Sequence, residues 1–411
     1  MPTAPAKKNS IKKNSLSHPL WIDFLLTTLL VLFVGLSAFF FFTSKDLKTY
    51  VSSLQKKNVS LLGVQSQLDK KLIAVQTELE KFKNEDQRVR NNTLQAEINN
   101  IQKTYQKSVT VYEKLLDLKV VSKKTDKFDD LLAEALTDLS QRNYASADAI
   151  LSSLSALIQK EKDTIIASFK IPENVPQANT PPASGYRRQT VAVDGTNYLV
   201  DIVSADLNST RVIVDTANDE DCKNDCPVLA LGDYVSRSGA YAGINGSYFC
   251  PASYPSCADK KNSFDTLAMN KNKKYLNSDN NVYSTVPAVI FLGGGVRFVG
   301  KSLEWGRDTG VDGVLANYPL LVSDNNTVAS DQGDPKLASR GSRSFVGASG
   351  STVYIGVVHN VTIGESAKVL KNLGLQHALN LDSGGSTALW AGGYKVGPGR
   401  GIPNAILFVR K

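Results

Sequence analysis

Residues 377–390, HALNLDSGGSTALW, deliver one aspartate, Asp382, directly into a flexible run of small residues. Asn380 and Asp382 alternate with two leucines, so on a strand their side chains share one face. The four residues that follow would expose backbone N–H groups suited to holding an anion. They are Ser383, Gly384, Gly385 and Ser386. Asp382 is therefore a candidate general acid, general base or cation ligand; the alternative is an aspartate that caps a glycine turn.

Two upstream stretches also combine glycine with polar groups. In AYAGINGSYFC, Asn245 stands between an apolar run and Gly246, where a glycine lets the backbone approach a ligand closely. The alternative is an Asn-Gly turn between strands. In RGSRSFVGAS, Arg343 offers a planar fork of donors that suits phosphate oxygens. A solvated surface arginine is the alternative.

The elements that must position these residues are short strands and one helix. Strand-like runs bounded by turn residues are TVAVDG, NYLVDIVSA, TRVIVDT, PAVIFLGGGVRFVG and STVYIGVVH. Thr362 and Glu365 form a capping-box pattern that starts a helix, and Gly374 ends it just before the strand HALNL. Residues 186–411 are therefore predicted to form an α/β domain with a mixed (α+β) sheet.

Taken together, GINGSYF, SRSFVG and ALNLDSGGSTALW, in this order, resemble the phosphodiester glycosidase domain family. The resemblance covers residues 186–411, including the closing VGPGRGIPNAILF. It implies hydrolysis of the bond between a sugar's anomeric carbon and a phosphodiester oxygen. It also carries over site residues at the matching positions. These are Asn245, Gly246, Arg343, Asn380, Asp382, Gly384, Gly385 and Ser386.

Three positions depart from the family pattern. Ser383 stands where the family has the first of three glycines, and Ser247 stands where a second glycine follows the asparagine. The strand before the helix ends in His359-Asn360, where many members have Asp-Gly. His359 could take over proton transfer, since its unperturbed pKa lies near neutrality, or make a structural hydrogen bond.

The resemblance implies a division of roles at the site. Arg343 would hold the phosphate, and Asp382 would be the base for the attacking water or the carboxylate on the sugar side. Asn245 and Asn380 would orient sugar hydroxyls or the phosphate. A second acid does not stand out, because Asp265 and Glu304 read equally well as surface residues. No cofactor is evident, and the sequence leaves a divalent cation open.

Four cysteines, Cys222, Cys226, Cys250 and Cys257, are closely spaced. An even number favours two disulfides, with three pairings open. A zinc site is the alternative, although C-x3-C with C-x6-C differs from the usual ligand spacing.

Residues 24–42 are apolar and uncharged. Nineteen residues at about 1.5 Å each reach roughly 28 Å, which matches a bilayer core. We predict a basic tail over 1–19 and an uncleaved signal anchor over 20–43. Because Lys7, Lys8, Lys12 and Lys13 precede the span, the N-terminus is expected in the cytoplasm and the C-terminal domain outside.

Residues 44–170 are predicted to form a coiled-coil or helical stalk. Leu54, Leu61, Leu68, Val75, Phe82 and Val89 recur every seven residues, which predicts pairing with a second copy of the chain. Residues 127–163 show two amphipathic segments, read as a helical hairpin or more of the stalk. Prolines in residues 171–185 predict a linker.

The net charge of +8 is spread along the chain, and no nucleic-acid-binding module is visible. The sequence thus predicts a membrane-anchored extracytoplasmic hydrolase that acts on a phosphate-containing surface glycan or sugar-phosphate polymer. Two alternatives are a catalytically weak glycan-binding module and a coiled-coil envelope scaffold. The three departures at Ser247, Ser383 and His359-Asn360 favour the binding module. Asn245, Arg343 and Asp382 favour the enzyme.

Overall fold

A computed structural model describes residues 20–281, 285–308, 310–333 and 335–411. The predicted basic tail, residues 1–19, lies outside them. The chain falls into two compact units, one ending at Glu97 and the other comprising Ile98–Lys411.

In the first unit, helix α1 spans Leu20–Asn84. Its N-terminal part is long and apolar enough to cross a membrane, by length and composition only. The heptad positions Leu54, Leu61 and Leu68 are exposed along this helix. An exposed a/d stripe is the pattern expected of a helix whose partner is another chain. Pairing with a second copy therefore stays a prediction.

Three helices precede the sheet domain: α2 (Asp86–Val121), α3 (Asp126–Ser140) and α4 (Tyr144–Ser168). The last turns of α2 pack with α3 and α4 around a shared apolar core. That core includes Val111, Leu115, Leu118, Phe128, Leu151 and Leu154. The structure thus places a short helical hairpin, α3–α4, against α2, within the part of the chain read from the sequence as stalk.

Residues 171–184 contain no helix and no strand of a sheet. The segment nevertheless follows the first strand of the sheet, because the backbones of Ala178 and Thr190 and of Thr190 and Pro176 are hydrogen bonded. Its proline-rich sequence is therefore extended along the domain surface.

The C-terminal domain contains three helices and seventeen strands among the described residues. The helices are α5 (Leu231–Ser238), α6 (Pro335–Ala338) and α7 (Ile363–Asn372). The strands are β1 (Gly185–Val193), β2 (Thr196–Asp206), β3 (Thr210–Thr216), β4 (Ala242–Asn245), β5 (Ala268–Met269), β6 (Tyr275–Leu276), β7 (Ala288–Leu292), β8 (Gly295–Val299), β9 (Gly313–Ala316), β10 (Leu320–Ser323), β11 (Asn326–Thr327), β12 (Gly341–Ser349), β13 (Thr352–Val361), β14 (His377–Asn380), β15 (Leu389–Ala391), β16 (Tyr394–Val396) and β17 (Asn404–Arg410). The predicted α/β character is confirmed.

These strands form three sheets. The seven-stranded sheet has the order β1-β2-β13-β12-β14-β10-β11, and the second sheet has the order β16-β15-β4-β17-β3. The third has the order β6-β5-β9-β7-β8. Inner faces of the sheets share the largest apolar core, while α7 packs in the core of the seven-stranded sheet and α5 in that of the second sheet. The strands that carry the candidate residues therefore meet where two sheets pack together.

Helix α7 forms as predicted. The Thr362 hydroxyl accepts a hydrogen bond from the backbone N–H of Glu365, and the Glu365 carboxylate accepts one from the backbone N–H of Thr362. Gly374 adopts a φ of +84°, a left-handed conformation that ends the helix. The helix returns the chain to β14, which leads to Asp382.

The cysteines form two disulfides, Cys222–Cys226 and Cys250–Cys257. Among the described residues, no group of three or more His, Cys, Asp or Glu side chains is arranged to hold a metal ion. The second disulfide closes the loop that follows β4, and this loop borders the candidate site.

Candidate active site

Asn245, at the end of β4, is hydrogen bonded to β12, to the segment after β14 and to the residue before β15. Its side-chain N–H donates to the carbonyl oxygen of Asp382 at 2.7 Å. Its side-chain oxygen accepts from the Ser344 hydroxyl at 2.9 Å and from the backbone N–H of Ala388 at 3.1 Å. The amide is fully buried. Because both ends of the amide are engaged within the chain, Asn245 holds the segment around Asp382 in place. The predicted contact of Asn245 with a sugar hydroxyl or phosphate stays a prediction.

Gly246 is required by close packing. A Cβ atom at this position would lie 1.8 Å from the side-chain oxygen of Asn404. That oxygen accepts the backbone N–H of Ser247 at 2.8 Å, and the Asn404 amide donates to the Ser247 hydroxyl at 2.9 Å. Ser247, a departure from the family pattern, is thus accommodated by Asn404. The backbone oxygen of Gly246 then accepts the N–H of Asp382 at 2.8 Å.

The Asp382 side chain is buried, with 9% of its residue surface exposed. Burial raises the pKa of its carboxyl to about 6, although the Ser386 hydroxyl, the Ser383 backbone N–H and the Arg400 charge act to lower it. The Ser383 N–H donates to the carboxylate at 2.8 Å. A carboxyl with a pKa near neutrality exchanges protons readily at physiological pH, as a general base or acid must.

Arg400 was not identified from the sequence, and it lies against the glycine turn. A Cβ atom on Gly385 would lie 2.1 Å from the Arg400 guanidinium, and the Arg400 backbone N–H donates to the Gly385 carbonyl at 2.8 Å. Across the described residues, no carboxylate forms an ion pair with this side chain within 4.0 Å. Its charge is therefore available to an anion beside the turn.

Tyr254 covers the other side of Arg400. The guanidinium carbon lies 5.3 Å from the centre of the Tyr254 ring, within cation–π distance. Burial and the neighbouring Asp117 raise the pKa of the Tyr254 phenol to about 12. The phenol therefore remains protonated and donates to the Asp117 carboxylate.

An open cleft of about 600 Å³ lies beside these residues. The turn of residues 384–387 and the loop of residues 397–400 form one side, and the disulfide loop with Tyr254 forms another. Leu116 and Val120 of α2 complete the lining. Sites for small molecules usually occupy about 300 to 1,000 Å³, so this cleft has the size of a ligand site.

Arg343 is 7% exposed and does not line this cleft. Its guanidinium donates to the backbone carbonyl of Lys336 at 2.9 Å and to that of Ser339. It therefore braces the α6 segment. The phosphate-holding role predicted for Arg343 stays a prediction, whereas Arg400 lines the cleft.

The half-buried Tyr248 and the buried Asn380 form a hydrogen-bonded pair next to Asp382. The Asn380 amide donates to the Tyr248 hydroxyl at 2.7 Å and to the Tyr318 carbonyl at 3.0 Å. Burial and the Asp382 charge both raise the pKa of the Tyr248 phenol, so it stays protonated. The Tyr248 hydroxyl proton is donated to no described residue, and the Asn380 side-chain oxygen has no partner among them. Groups of this kind are usually satisfied by water or a ligand.

His359 belongs to a separate polar cluster. Its Nε2 lies 2.7 Å from the Asp201 carboxylate, and its Nδ1 lies 3.3 Å from the Ser342 hydroxyl. Burial would raise the pKa of Asp201, but hydrogen bonds from His359, Arg188 and Tyr186 outweigh it and lower the pKa to about 2. No hydrogen bond among the described residues joins His359 to Asp382. The geometry matches the structural alternative for His359.

The two alternative acids differ from Asp382 in burial, because Asp265 and Glu304 are both exposed. No carboxylate contributes to the shift of the Asp382 pKa. The site thus has one buried carboxyl group, and its other polar groups include Arg400, Tyr248, Asn380 and the backbone of the glycine turn.

Comparison with known proteins gives one family. Residues 238–409 match the family model described as phosphodiester glycosidase. No curated protein shows significant similarity to the chain. A hypothetical protein from Synechocystis is similar to it in structure, with 14% identity, 55% of this chain and 62% of that chain covered, and a TM-score of 0.42. The match therefore spans less than two thirds of that protein.

A second similar structure is the catalytic domain of zebrafish N-acetylglucosamine-1-phosphodiester alpha-N-acetylglucosaminidase, auto-inhibited by its pro-peptide. The identity is 14%, the match covers 58% of this chain and 87% of that chain, and the TM-score is 0.43.

Proposed function

Residues 238–409 belong to the phosphodiester glycosidase family, and on this premise we propose that the protein hydrolyses sugar-1-phosphodiesters. Water attacks the anomeric carbon and forms the new C–O bond. The bond from that carbon to the phosphodiester oxygen breaks, and its electron pair leaves with the phosphate monoester. The observation that carries the proposal is the buried Asp382, with a pKa of about 6, at the start of the turn against which the Arg400 guanidinium packs.

Asp382 is proposed to accept the proton of the attacking water. With a pKa of about 6 the carboxyl is mainly ionised at neutral pH, yet it is more basic than an exposed aspartate. A phosphate monoester is a good leaving group, so strong acid assistance is less necessary than for an ordinary glycoside. A single carboxylate is then compatible with the reaction.

Arg400 is proposed to hold the phosphate together with the turn of residues 384–386. The guanidinium offers several donors in one plane, which suits phosphate oxygens. The turn brings small residues against it, so that an anion can approach both. Tyr248, a protonated phenol with a hydroxyl proton not used within the described chain, is proposed to donate to a sugar hydroxyl.

The test is turnover of a panel of sugar-1-phosphodiesters, including a chromogenic one, by the full chain in detergent. Asp382→Asn should abolish turnover, and the exposed Asp265→Asn should leave it intact. Activity retained in Asp382→Asn would contradict the proposal. Binding of the panel without any turnover by the wild type would favour a glycan-binding module instead.

The protein is further proposed to be anchored by residues 24–42, with the C-terminal domain outside the cytoplasm, where a surface glycan or sugar-phosphate polymer is its substrate. The apolar helix and the two disulfides support this arrangement. With an epitope at each terminus, protease added to cells lacking a wall should remove only the C-terminal epitope. Loss of only the N-terminal epitope would contradict this orientation.

A further inference from the structure

Helix α2 contributes to the cleft although it lies outside the family-matched residues 238–409. Leu116 is half-buried, and Val120 is 53% exposed at the cleft. The opposite side of the same helix turns is fully buried at Leu115 and Leu118, inside the three-helix core. The wall is therefore part of a packed bundle and not a loose flap.

The disulfide loop fixes this helix to the catalytic domain. The Tyr254 hydroxyl donates to Asp117, and the Ser256 backbone N–H donates to the Glu113 carboxylate at 2.9 Å. Cys250 and Cys257 close the loop that carries both donors. Two hydrogen bonds to carboxylates of one helix hold the wall at a defined distance from the turn.

The contacts give the site a direction. Asp382 immediately precedes the turn in which Gly385 packs against the Arg400 guanidinium, Arg400 lies over the Tyr254 ring, and Tyr254 is hydrogen bonded to α2. In the proposed function Asp382 serves the anomeric carbon and Arg400 the phosphate. The wall therefore lies on the far side of the phosphate from the sugar that is released.

Resting on that function, we infer that α2 forms a subsite for the group esterified to the far side of the phosphate. The wall combines the aliphatic side chains of Leu116 and Val120 with the exposed hydroxyl group of Ser253. A polyhydroxylated carbon skeleton, either a second sugar or a polyol, matches this mixture, because its C–H faces pack on aliphatic groups and its hydroxyls bond to hydroxyls. The helix is thus a specificity determinant for a reaction performed by another domain.

Two neighbouring valines provide a matched test. Val120 lines the cleft, whereas Val121 is exposed and does not. In the full chain carrying Asp382→Asn, dissociation constants are measured for three ligands with one sugar-1-phosphate. The group beyond the phosphate is a methyl group, glycerol or a second sugar. In the Asp382→Asn protein with Val120 intact, the ligand that carries a second sugar or glycerol should bind more tightly than the ligand that carries a methyl group.

Val120→Trp should reduce this preference by about tenfold, because the indole obstructs the wall, and Val121→Trp should leave it unchanged. Sugar and glycerol arms distinguish the two sources of the polyhydroxylated group. Equal effects of the two tryptophans, or no preference over methyl, would overturn the inference. If the ligands bind with this pattern but the wild type shows no turnover, the proposed hydrolase activity is refuted and the subsite stands. If the wild type turns over substrate but Val120→Trp has no effect on binding, the subsite is refuted and the hydrolase activity stands.

Discussion

The side-chain amide of Asn245 donates to the carbonyl oxygen of Asp382 at 2.7 Å, and it uses its own oxygen to bind Ser344 and Ala388. Asn245, a candidate ligand contact in the sequence, thereby stabilises the position of the loop that carries the Asp382 carboxyl group. Its effect on the reaction is indirect, through the position of Asp382.

Asn245→Ala is therefore expected to lower both stability and turnover. Removing the amide leaves buried partners unsatisfied, at about 1–3 kcal/mol for each group. The thermal midpoint should fall, and kcat should fall more than KM rises, because the loop loses its position. Ser344→Ala, which removes one of the three contacts, should have a smaller effect on both measurements. Undiminished kcat in a destabilised Asn245→Ala protein would refute this positioning role.

The activity should depend on pH through Asp382. Its pKa is about 6, and a general base works only when ionised, so kcat/KM should rise with pH and reach half its maximum near pH 6. A profile that instead falls through pH 6 would identify Asp382 as an acid. Asp265→Asn is the control, because loss of an exposed carboxylate should leave this limb unchanged.

The same carboxyl makes a linked prediction for stability. Its folded-state pKa is raised from 3.8 to about 6, so protonation favours the folded state. That stabilisation is complete below pH 3.8 and is lost as the pH rises through 6. Asp382→Asn should therefore be more stable than the wild type at pH 8, by at most about 3 kcal/mol, with a smaller difference at pH 5. Denaturant unfolding at both pH values measures it, and a difference that grows toward pH 5 would contradict the assignment.

Arg400→Ala should weaken substrate binding and also change the pH profile. Loss of a phosphate-binding guanidinium commonly costs several kcal/mol, so KM should rise by about a hundredfold. Because the Arg400 charge lowers the Asp382 pKa, its removal should move the acidic limb of kcat/KM to higher pH. Arg400→Lys should restore the limb but not the full affinity, since a lysine lacks the planar fork. If the acidic limb of kcat/KM does not move in Arg400→Ala, the Arg400 charge does not act on the Asp382 carboxyl group.

Loss of the Cys250–Cys257 disulfide should affect binding more than loss of Cys222–Cys226. The first bridge closes the loop that carries Tyr254, and the second lies outside the cleft lining. We expect the Cys250→Ser/Cys257→Ser protein to show a several-fold higher KM, because Tyr254 and α2 lose their shared anchor. The Cys222→Ser/Cys226→Ser protein is the matched control, and a higher KM in both would point to a general effect on folding.

Local signals in the sequence were sufficient to predict the helix and strands of the C-terminal domain and to identify Asp382 as a candidate site residue. The Thr362–Glu365 capping box and Gly374 define α7 within one turn at either end, and β-branched runs define the strands. These features depend on neighbours in the chain, which a sequence displays directly. The family resemblance, confirmed over residues 238–409, added the order of the motifs.

Contacts between distant positions were not predictable in this way. Arg400 meets Gly385 and Tyr254, and nothing in GPGRGIPNA distinguishes this arginine from a solvated one. The raised pKa of Asp382 comes from burial, which is a property of the packed sheets. The heptad pattern likewise gave no indication that the last turns of α2 would pack beside a cleft formed by residues more than 130 positions away in the chain.

The Asp201 cluster has a consequence for how the sheet assembles. Arg188 lies opposite Asp201 in the β1–β2 ladder, and Tyr186 and His359 lie on the same face. A slip of one residue along either ladder would turn these partners to the opposite face. The buried Asp201 carboxylate would then lack its partners, at a cost of several kcal/mol. The cluster thus penalises misaligned strands during folding. Because Ser342 of β12 lies next to His359, the cluster also favours the β12–β13 register in which Ser344 reaches Asn245.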